Sequence, residues 1–286
     1  MSLNPTPSKN EKREASREKA RQKRLAEAKK KKRIKIFAQV GAGVGILAVA
    51  GLVVALVVNN NQPAVAQVNP ANLASNGVVV TGENLSTVRT DATPVGEKST
   101  PTAVKDDVTK VDIYLDYLCP FCNDFETANS DTIAEAVKAG DVEVEIHPLA
   151  VLDGNARQYS SRAANAAACV VNYSPDSFWD FNTALFANQP AETSAAGLQD
   201  RQIVSIANEV GVENIDAITE CINDKSFGNW VDDATQQALA GPIPNSDVPA
   251  ITGTPTVIVD GEQYNPGENP DFGSFLDSAI SAKQGA

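Results

Sequence analysis

Two cysteines separated by two residues, Cys119 and Cys122, are the side chains whose type and spacing most directly suggest chemistry. They lie in the stretch 117–126, where an alternating apolar run gives way to a helical pattern. A sulfur in the first turn of a helix lies beside unpaired backbone N–H groups, and these groups and the helix dipole favour a thiolate. The spacing and placement therefore predict a thiol–disulfide redox centre.

A zinc half-site and a structural staple are the two alternative interpretations of this pair. Zinc would need two further ligands, whereas the other cysteines are single and the only histidine, His147, lies in no ligand pattern. Two cysteines this close in sequence also close too small a loop to act as a useful staple. We therefore predict no metal site and a structural role for His147.

The sequence lacks the motifs of several other enzyme classes. It contains no Gly-x-Ser-x-Gly, no phosphate loop, no His-Glu-x-x-His and no Gly-x-Gly-x-x-Gly, the motifs of hydrolases, nucleotide enzymes and metalloproteases. With a single histidine, any Ser-His-Asp or Cys-His mechanism would have to use His147. The thiol chemistry needs no metal, flavin or nucleotide, so no cofactor is predicted.

The remaining cysteines, Cys169 and Cys221, are expected to form a structural disulfide. An even number of cysteines in an oxidising compartment is expected to pair. A bond between these two would close a loop of about 52 residues and contribute about 4 kcal/mol in the chain-entropy model. The alternative is two separate buried thiols, each acting as a small apolar side chain.

The charge of the chain is divided unevenly around an uncharged segment, Ile36–Val58. Residues 1–35 hold 14 Lys/Arg and 4 Asp/Glu, whereas residues 36–286 hold 10 and 32. As a helix the segment would be roughly 34 Å long, enough to span a bilayer core of about 30 Å. The positive-inside rule then predicts a cytoplasmic basic tail, 1–35, a transmembrane helix, 36–58, and an extracytoplasmic remainder.

Other interpretations of this N-terminal region remain open. The segment could be a long buried helix of a soluble core, or a signal peptide cleaved after Ala66, because Ala64-Val65-Ala66 is a small-x-small site. Secretory apolar regions usually run only about 7–15 residues, which favours a retained anchor in the cell membrane. For the basic tail, contact with anionic lipid is the simpler expectation, and no nucleic-acid partner is predicted.

After a polar linker, 59–74, the pattern predicts a βαβ unit that positions the cysteine pair. A first strand is expected at 77–81, then a strand at 111–117, a helix at 121–138 and an alternating, half-buried strand at 142–146. The pair lies at the carboxyl end of the strand 111–117, where open α/β sheets place their sites.

A helical insert is predicted at about 155–242, because no convincing strand pattern occurs there. Its expected helices are 161–171, 177–187, 201–210, 214–222 and 230–240. Strand character returns at Thr256–Val259, and Asp260-Gly261 before Glu262 indicates a β-hairpin. A last helix is expected at 271–282, so the fold class is α/β.

These motifs together resemble the DsbA-like branch of the thioredoxin superfamily, in its membrane-anchored bacterial form. The resemblance rests on Cys-Pro-x-Cys-x-x-Phe-Glu after a strand, a helical insert, and Gly253-Thr254-Pro255-Thr256 before a hairpin. It covers roughly residues 75–284. It implies a thioredoxin-like α/β fold with an inserted helical subdomain, preceded here by a single transmembrane helix.

The resemblance implies a role for each matching residue. Cys119 matches the exposed nucleophile and Cys122 the buried resolving thiol. Pro255 matches a cis-proline opposite the disulfide. Glu126 matches an acidic residue under the site that can move protons for Cys122, with an exposed helix carboxylate as the alternative. The residues expected to contact substrate are Pro120, Phe121 and Thr254.

The sequence also departs from the family pattern in ways that affect the expected redox strength. Phe121 stands where relatives often have a histidine, Ile113 stands where some have an acid, and Asp116 could oppose a thiolate. We therefore predict a Cys119 pKa below the ordinary thiol value of about 8.5 but above about 3.5. The couple should be less oxidising than about −120 mV.

The predicted activity is that of an extracytoplasmic protein thiol:disulfide oxidoreductase, acting as an oxidase on reduced or unfolded exported proteins. The family implies a membrane partner that reoxidises the pair. A reductase using the same residues is one alternative, since direction depends on the partner and the compartment. A thioredoxin-fold binding or chaperone module without catalysis is the other.

Overall fold

The computed structural model describes residues 68–154, 158–191 and 196–285. Within these ranges no helix is both long and apolar enough to cross a membrane. The predicted tail, 1–35, the predicted span, 36–58, and the proposed cleavage site at Ala66 lie outside the described residues, so these remain predictions.

A six-stranded mixed sheet forms the centre of the domain, with the strand order β2-β1-β4-β3-β5-β6. β3 and β4 are parallel, and the other neighbours are antiparallel. The strands are β1 (Val78–Thr81), β2 (Ser86–Thr87), β3 (Thr109–Leu115), β4 (Val142–Pro148), β5 (Thr256–Val259) and β6 (Glu262–Gln263). The two-residue strand β2 was not predicted.

The predicted βαβ unit is confirmed. β3 and β4 are joined by helix α1 (Pro120–Ala139), which buries Ile133 and Val137 in the main core and ends at Gly140. Gly140 has a φ of 85°, a left-handed conformation that favours glycine at a helix end. β3 ends two residues earlier than predicted, and Tyr117 lies fully buried in the following turn.

The described residues between β4 and β5 form five α-helices, close to the predicted positions. They are α2 (Tyr159–Tyr173), α3 (Phe178–Ala187), α4 (Asp200–Glu209), α5 (Ile215–Asp224) and α6 (Gly228–Ala240), with a 3₁₀ turn at Pro175–Ser177. A disulfide joins Cys169 on α2 to Cys221 on α5, with the Cα atoms 5.9 Å apart. The bond therefore ties the start of the insert to its later helices.

The end of the chain forms the predicted hairpin and helix. β5 and β6 pair across Asp260-Gly261, whose φ values of 46° and 90° suit a two-residue hairpin turn with glycine second. Helix α7 (Phe272–Gln284) follows. Its Phe272 packs edge-on against Phe125 of α1, with the ring centroids 5.1 Å apart.

The expectation that β4 is half-buried is wrong, because both of its faces are covered. Val144 and Ile146 lie in the main core with the apolar side of β3. On the other face, α6 and the loop after it pack Ala238 and Ile243 against Tyr114 of β3. Glu143, Glu145 and His147 are buried beneath this second layer, which the alternating pattern alone could not reveal.

Candidate active site

Cys119 is the N-cap residue of α1, with Pro120 at the first helical position. The backbone is extended at Cys119 and turns helical at once, since the proline ring fixes a helical φ and lacks an N–H that would go unpaired. The Cys122 N–H donates to the Cys119 carbonyl oxygen at 3.1 Å, and the backbone N–H groups of Phe121 and Cys122 help to lower the pKa of the Cys119 thiol. The local sequence thus places a sulfur at the positive end of a helix.

A loop just before β5 covers the Cys119 sulfur. The Thr254–Pro255 peptide bond is cis, and Cys119 Sγ donates to the Thr254 carbonyl oxygen at 3.1 Å. Cys119 is only 4% exposed, so the expectation of an exposed nucleophile is wrong for this conformation. The structure brings Cys119, Thr254 and Pro255 together across 135 residues of sequence.

The two thiols of the pair are free, and their pKa values are pushed in opposite directions. The pKa of Cys119 is lowered from 9.0 to about 6, chiefly by a hydrogen bond from the Cys122 thiol; burial opposes this, and hydrogen bonds from the Thr254 side chain and from backbone N–H groups add to it. Burial raises the pKa of Cys122 well above its ordinary value, and the neighbouring Cys119 sulfur adds to this. Near neutral pH the arrangement gives one thiolate and one thiol.

Glu126 lies one helical turn beyond Cys122, on the same side of α1. It is 5% exposed, so the alternative of an exposed helix carboxylate is wrong. Burial raises the pKa of Glu126 from 4.5 to about 7, partly offset by a hydrogen bond from Asn182. A carboxyl group with this pKa can give up or take a proton near neutral pH.

A buried polar chain from the insert reaches this carboxyl group. Asn182 Nδ2 donates to Glu126 Oε1 at 2.8 Å, and Tyr117 Oη donates to Asn182 Oδ1 at 2.9 Å. Tyr117 and Asn182 are fully buried. Because the tyrosine hydroxyl occupies the amide oxygen, the amide nitrogen is directed at Glu126.

Gln189, in the segment after α3, fastens the turn that carries Cys119. Its Nε2 donates to the carbonyl oxygens of Tyr117 at 3.0 Å and Cys119 at 2.9 Å. One side chain of the insert therefore holds the backbone on both sides of Leu118, which limits movement of the nucleophile.

Asp116 does not oppose the thiolate in the way its position suggested. Its Oδ1 accepts from the Leu118 N–H at 2.8 Å and its Oδ2 from the Leu152 N–H at 2.9 Å. Its pKa is raised above the usual range by burial. Its own backbone N–H lies 3.5 Å from Cys122 Sγ and donates to it.

The surface beside the sulfur is apolar. Phe121 is 71% exposed and Pro120 is partly exposed, and together they form an apolar edge directly after Cys119 in the chain. Such a ring suits contact with the apolar side chains of an unfolded chain.

Away from this site, Asp112, Glu145 and His147 have the spacing to hold a metal ion.

Sequence reasoning missed Asn182, Gln189 and the buried polar cluster of Asp112, Glu145 and His147, which lies on the face of the sheet covered by α6. Asn182 stood on the apolar stripe of α3, among Phe178 and Leu185, and a lone amide on such a stripe signals a buried hydrogen bond. The cluster gave no such signal, because its members are assembled by strand pairing and not by sequence spacing.

Comparison with known proteins agrees with this architecture. The Thioredoxin family model matches residues 105–278. A disulfide bond oxidoreductase from Mycobacterium tuberculosis, DsbG, superimposes with a TM-score of 0.51 at 29% identity, covering 73% of this chain and 95% of that one. For DsbA of the same organism the values are 0.51, 28%, 73% and 99%.

Two further proteins are similar to this chain at lower sequence identity or over a shorter segment. MdbA from Corynebacterium diphtheriae shares the fold at 18% identity, with a TM-score of 0.51 and 77% and 97% of the two chains covered. The serine/threonine-protein kinase PknE of Mycobacterium tuberculosis is 33% identical over 110 residues, which are 37% of this chain and 19% of the kinase.

The mycobacterial disulfide oxidoreductases are consistent with the enzyme class predicted here, a protein thiol:disulfide oxidoreductase. The family match spans more than half of the chain and includes both cysteines and the Thr254-Pro255 loop. The domain is thus of the α/β type with a helical insertion, and the chain belongs to the thioredoxin family.

Proposed function

We propose that this chain is an extracytoplasmic thiol–disulfide oxidoreductase of the DsbA type that forms disulfides in exported proteins. The observation that carries the proposal is the polarised pair, a Cys119 pKa lowered to about 6 beside a Cys122 thiol held neutral. Such a pair stabilises the reduced enzyme, and a stabilised reduced form makes the disulfide form an oxidant.

The size of this effect can be estimated at pH 7. Lowering a thiol pKa from 9.0 to about 6 stabilises the reduced form by about 1.4 kcal/mol at this pH, which corresponds to about 30 mV for the two-electron couple. The shift favours oxidation of substrates but falls well short of the most oxidising thioredoxin-fold proteins. The shift acts in the direction expected of an oxidase, and the choice between oxidase and reductase is left to the assay below.

The proposed reaction begins with the Cys119–Cys122 bond intact. A substrate thiolate attacks Cys119 Sγ, the Cys119–Cys122 bond breaks, and Cys122 leaves as a thiolate that takes a proton from Glu126. A second substrate thiolate then attacks the substrate sulfur of the mixed disulfide and releases Cys119 as a thiolate. The substrate loses two electrons and two protons, and a membrane disulfide- or quinone-bearing partner must later remove the electrons.

Phe121 and Pro120 provide the apolar edge against which a substrate segment would lie, and the cis Thr254–Pro255 peptide provides backbone for it. Their positions suit extended, unfolded chains more than folded surfaces, because the sulfur lies beneath the Thr254 loop. We therefore propose reduced, unfolded exported proteins as the substrates.

Refolding of a reduced, unfolded disulfide protein tests the activity. The full-length oxidised chain should raise the yield of native disulfides, and Cys119→Ser should abolish this. Cys122→Ser should instead accumulate a mixed disulfide at Cys119. Equal yields with the parent chain and Cys119→Ser would contradict catalysis and leave a binding module, whereas insulin reduction without refolding activity would assign a reductase.

We also propose that residues 36–58 anchor the protein in the cell membrane with the tail 1–35 in the cytoplasm. The uncharged segment and the basic residues on one side of it support this. Protease added outside wall-stripped cells should remove the redox domain and spare the tail. A mature protein that begins at Gln67, or a protected domain, would contradict the anchor.

A further inference from the structure

Three ionisable side chains of β3 and β4 lie together on the second face of the sheet. Asp112 pairs with Glu145, and Tyr114 pairs with His147 in the parallel register, so alternate residues of both strands point to the same side. Asp112 is 7% exposed, Glu145 1% and His147 5%. Charged groups this deeply buried need a partner of opposite charge.

The imidazole of His147 is held with one nitrogen facing the two carboxylates. Its Nδ1 lies 3.2 Å from the Asn76 carbonyl oxygen, which can only accept, so Nδ1 carries a proton and Nε2 is the nitrogen that faces the two carboxylates. Tyr114 stacks on the ring at 4.1 Å and fixes its plane. Among the described residues, Nε2 has no hydrogen-bond partner.

The distances around Nε2 match a metal site better than a hydrogen bond. Nε2 lies 3.5 Å from Asp112 Oδ1 and 3.5 Å from Glu145 Oε1, beyond the 2.7–3.2 Å or so of an N–H···O bond. Ligand atoms about 2.0–2.2 Å from a tetrahedral metal ion are about 3.4 Å from one another. Both distances from Nε2 therefore match the spacing of metal ligands, and one ligand atom from each of the three residues lies within 4.8 Å of the other two.

Lys110 holds the carboxylates from one side. Its Nζ lies 2.6 Å from Asp112 Oδ1 and 2.8 Å from Glu145 Oε2. Each carboxylate offers about four lone-pair sites, so Glu145 Oε1 and a second lone pair of Asp112 Oδ1 stay available. Hydrogen bonds of this kind, like that of His147 to Asn76, orient metal ligands in proteins. Lys110 brings one positive charge to the two carboxylates.

We propose that Asp112, Glu145 and His147 bind one divalent transition-metal ion of the zinc class. Imidazole and carboxylate donors suit such ions, and the adjoining cavity of about 610 Å³, lined by all three residues, gives room for a water as fourth ligand. The ion would join side chains of β3 and β4. Because it binds the folded domain and not the unfolded chain, it stabilises the fold. The site is independent of the thiol chemistry proposed above.

The test uses the full-length chain with Cys119→Ser and Cys122→Ser, so that no free thiol competes for the metal. The protein carries no histidine tag, because His147 is then the only imidazole in the sample and gives a single set of NMR signals. Adding Zn²⁺ should bind one equivalent, move the His147 signals and raise the thermal midpoint. EDTA should reverse all three effects.

Two variants and one matched control assign the ligands. His147→Gln and Asp112→Asn should each weaken Zn²⁺ binding by tenfold or more, since even outer-shell changes cost about 10–100-fold. Glu143→Gln removes a buried carboxyl of the same strand that pairs with Lys105 and should leave binding unchanged.

Either of two results would overturn the proposal. One is a titration in which the His147 signals of the cysteine-free chain stay in place at saturating Zn²⁺. The other is Zn²⁺ affinity that is the same in the parent, His147→Gln and Asp112→Asn. If a ligand variant fails to fold, the titration of the unaltered site still decides.

Discussion

Asn182 Nδ2, on the inserted helix α3, donates a 2.8 Å hydrogen bond to Glu126 Oε1 on the helix that carries both cysteines. The insert thus reaches the interior of the redox site as well as covering it. The hydrogen bond favours the carboxylate, while the burial that the insert helps to create favours the neutral acid. The balance holds the pKa of Glu126 at about 7.

Replacing Asn182 by Ala should shift the pH dependence of thiol–disulfide exchange upward. Without the amide donor the carboxylate loses its hydrogen bond, so the Glu126 pKa rises further and the group deprotonates at a higher pH. The unpaired Tyr117 hydroxyl and Glu126 should also cost about 1–3 kcal/mol of stability. Stopped-flow kinetics against pH measure the first effect and denaturant unfolding the second.

Asn188→Ala is the matched control, because Asn188, directly after α3, is exposed and its side-chain amide donates to the Ala184 carbonyl oxygen of that helix. Its pH profile should overlay that of the parent chain. A profile for Asn182→Ala that also overlays the parent would show that the amide does not tune Glu126.

Replacing Glu126 by Gln should stabilise the folded chain above neutral pH. Burial raises the carboxyl pKa from 4.5 to about 7, so the folded state holds the proton more tightly than the unfolded state. Stability is therefore lost as pH rises from about 4.5 to 7, by about 3 kcal/mol in full. Gln should recover up to this amount at pH 8 and little at pH 4.

Denaturant unfolding at the two pH values checks the sign. Glu135→Gln, an exposed carboxyl on the same helix, should change neither value much. If Glu126→Gln destabilises the protein equally at both pH values, the carboxyl group is not held neutral. The same variant should slow reduction of the disulfide, because the leaving Cys122 thiolate then lacks its proton donor.

The reduced chain should show thiolate absorbance that rises with a midpoint near pH 6. The pKa of Cys119 is depressed from 9.0 to about 6, so the reduced form gains stability relative to the oxidised form as pH rises from about 6 to 9. It loses this gain as pH falls through about 6. Absorbance of the reduced protein against pH, with Cys119→Ser as the blank, measures the midpoint.

Phe121→His should lower that midpoint further and make the couple more oxidising. Position 121 is 71% exposed, so a protonated imidazole can stand beside the sulfur at little cost and favour the thiolate. A thiolate midpoint near pH 3.5 in the parent chain would contradict this prediction, because the Cys119 pKa would then be strongly lowered without a cation at position 121.

Much of the fold followed from local patterns, and its buried polar groups did not. The βαβ unit, the insert helices and the Asp260-Gly261 hairpin each depend on periodicity or turn residues within one short stretch. The contacts of Gln189 with Cys119 and of Asn182 with Glu126 join residues 70 and 56 positions apart. No local pattern encodes such contacts, and the position of Asn182 on an apolar stripe was the one available clue.

The same distinction between local pattern and tertiary contact explains the two wrong predictions of solvent exposure. The resemblance to the DsbA-like branch implied an exposed Cys119, yet the Thr254 loop covers it from 135 residues away. Glu145 was expected to face solvent because its strand alternates, yet α6 and the following loop form a second layer. In both places tertiary packing decided the environment of a correctly placed side chain.

Removing the Cys169–Cys221 disulfide should lower the free energy of unfolding by about 4 kcal/mol, because the bond closes a loop of 52 residues. The comparison is best made in the Cys119→Ser, Cys122→Ser background, where no free thiol can exchange with the bond. Urea unfolding of this chain and of the same chain with Cys169→Ala and Cys221→Ala measures the difference. Both cysteines are buried and neither belongs to the redox pair, so in the chain that keeps Cys119 and Cys122 the double alanine variant should retain disulfide exchange below its new midpoint. An unchanged urea midpoint would mean that the insert holds together by packing alone.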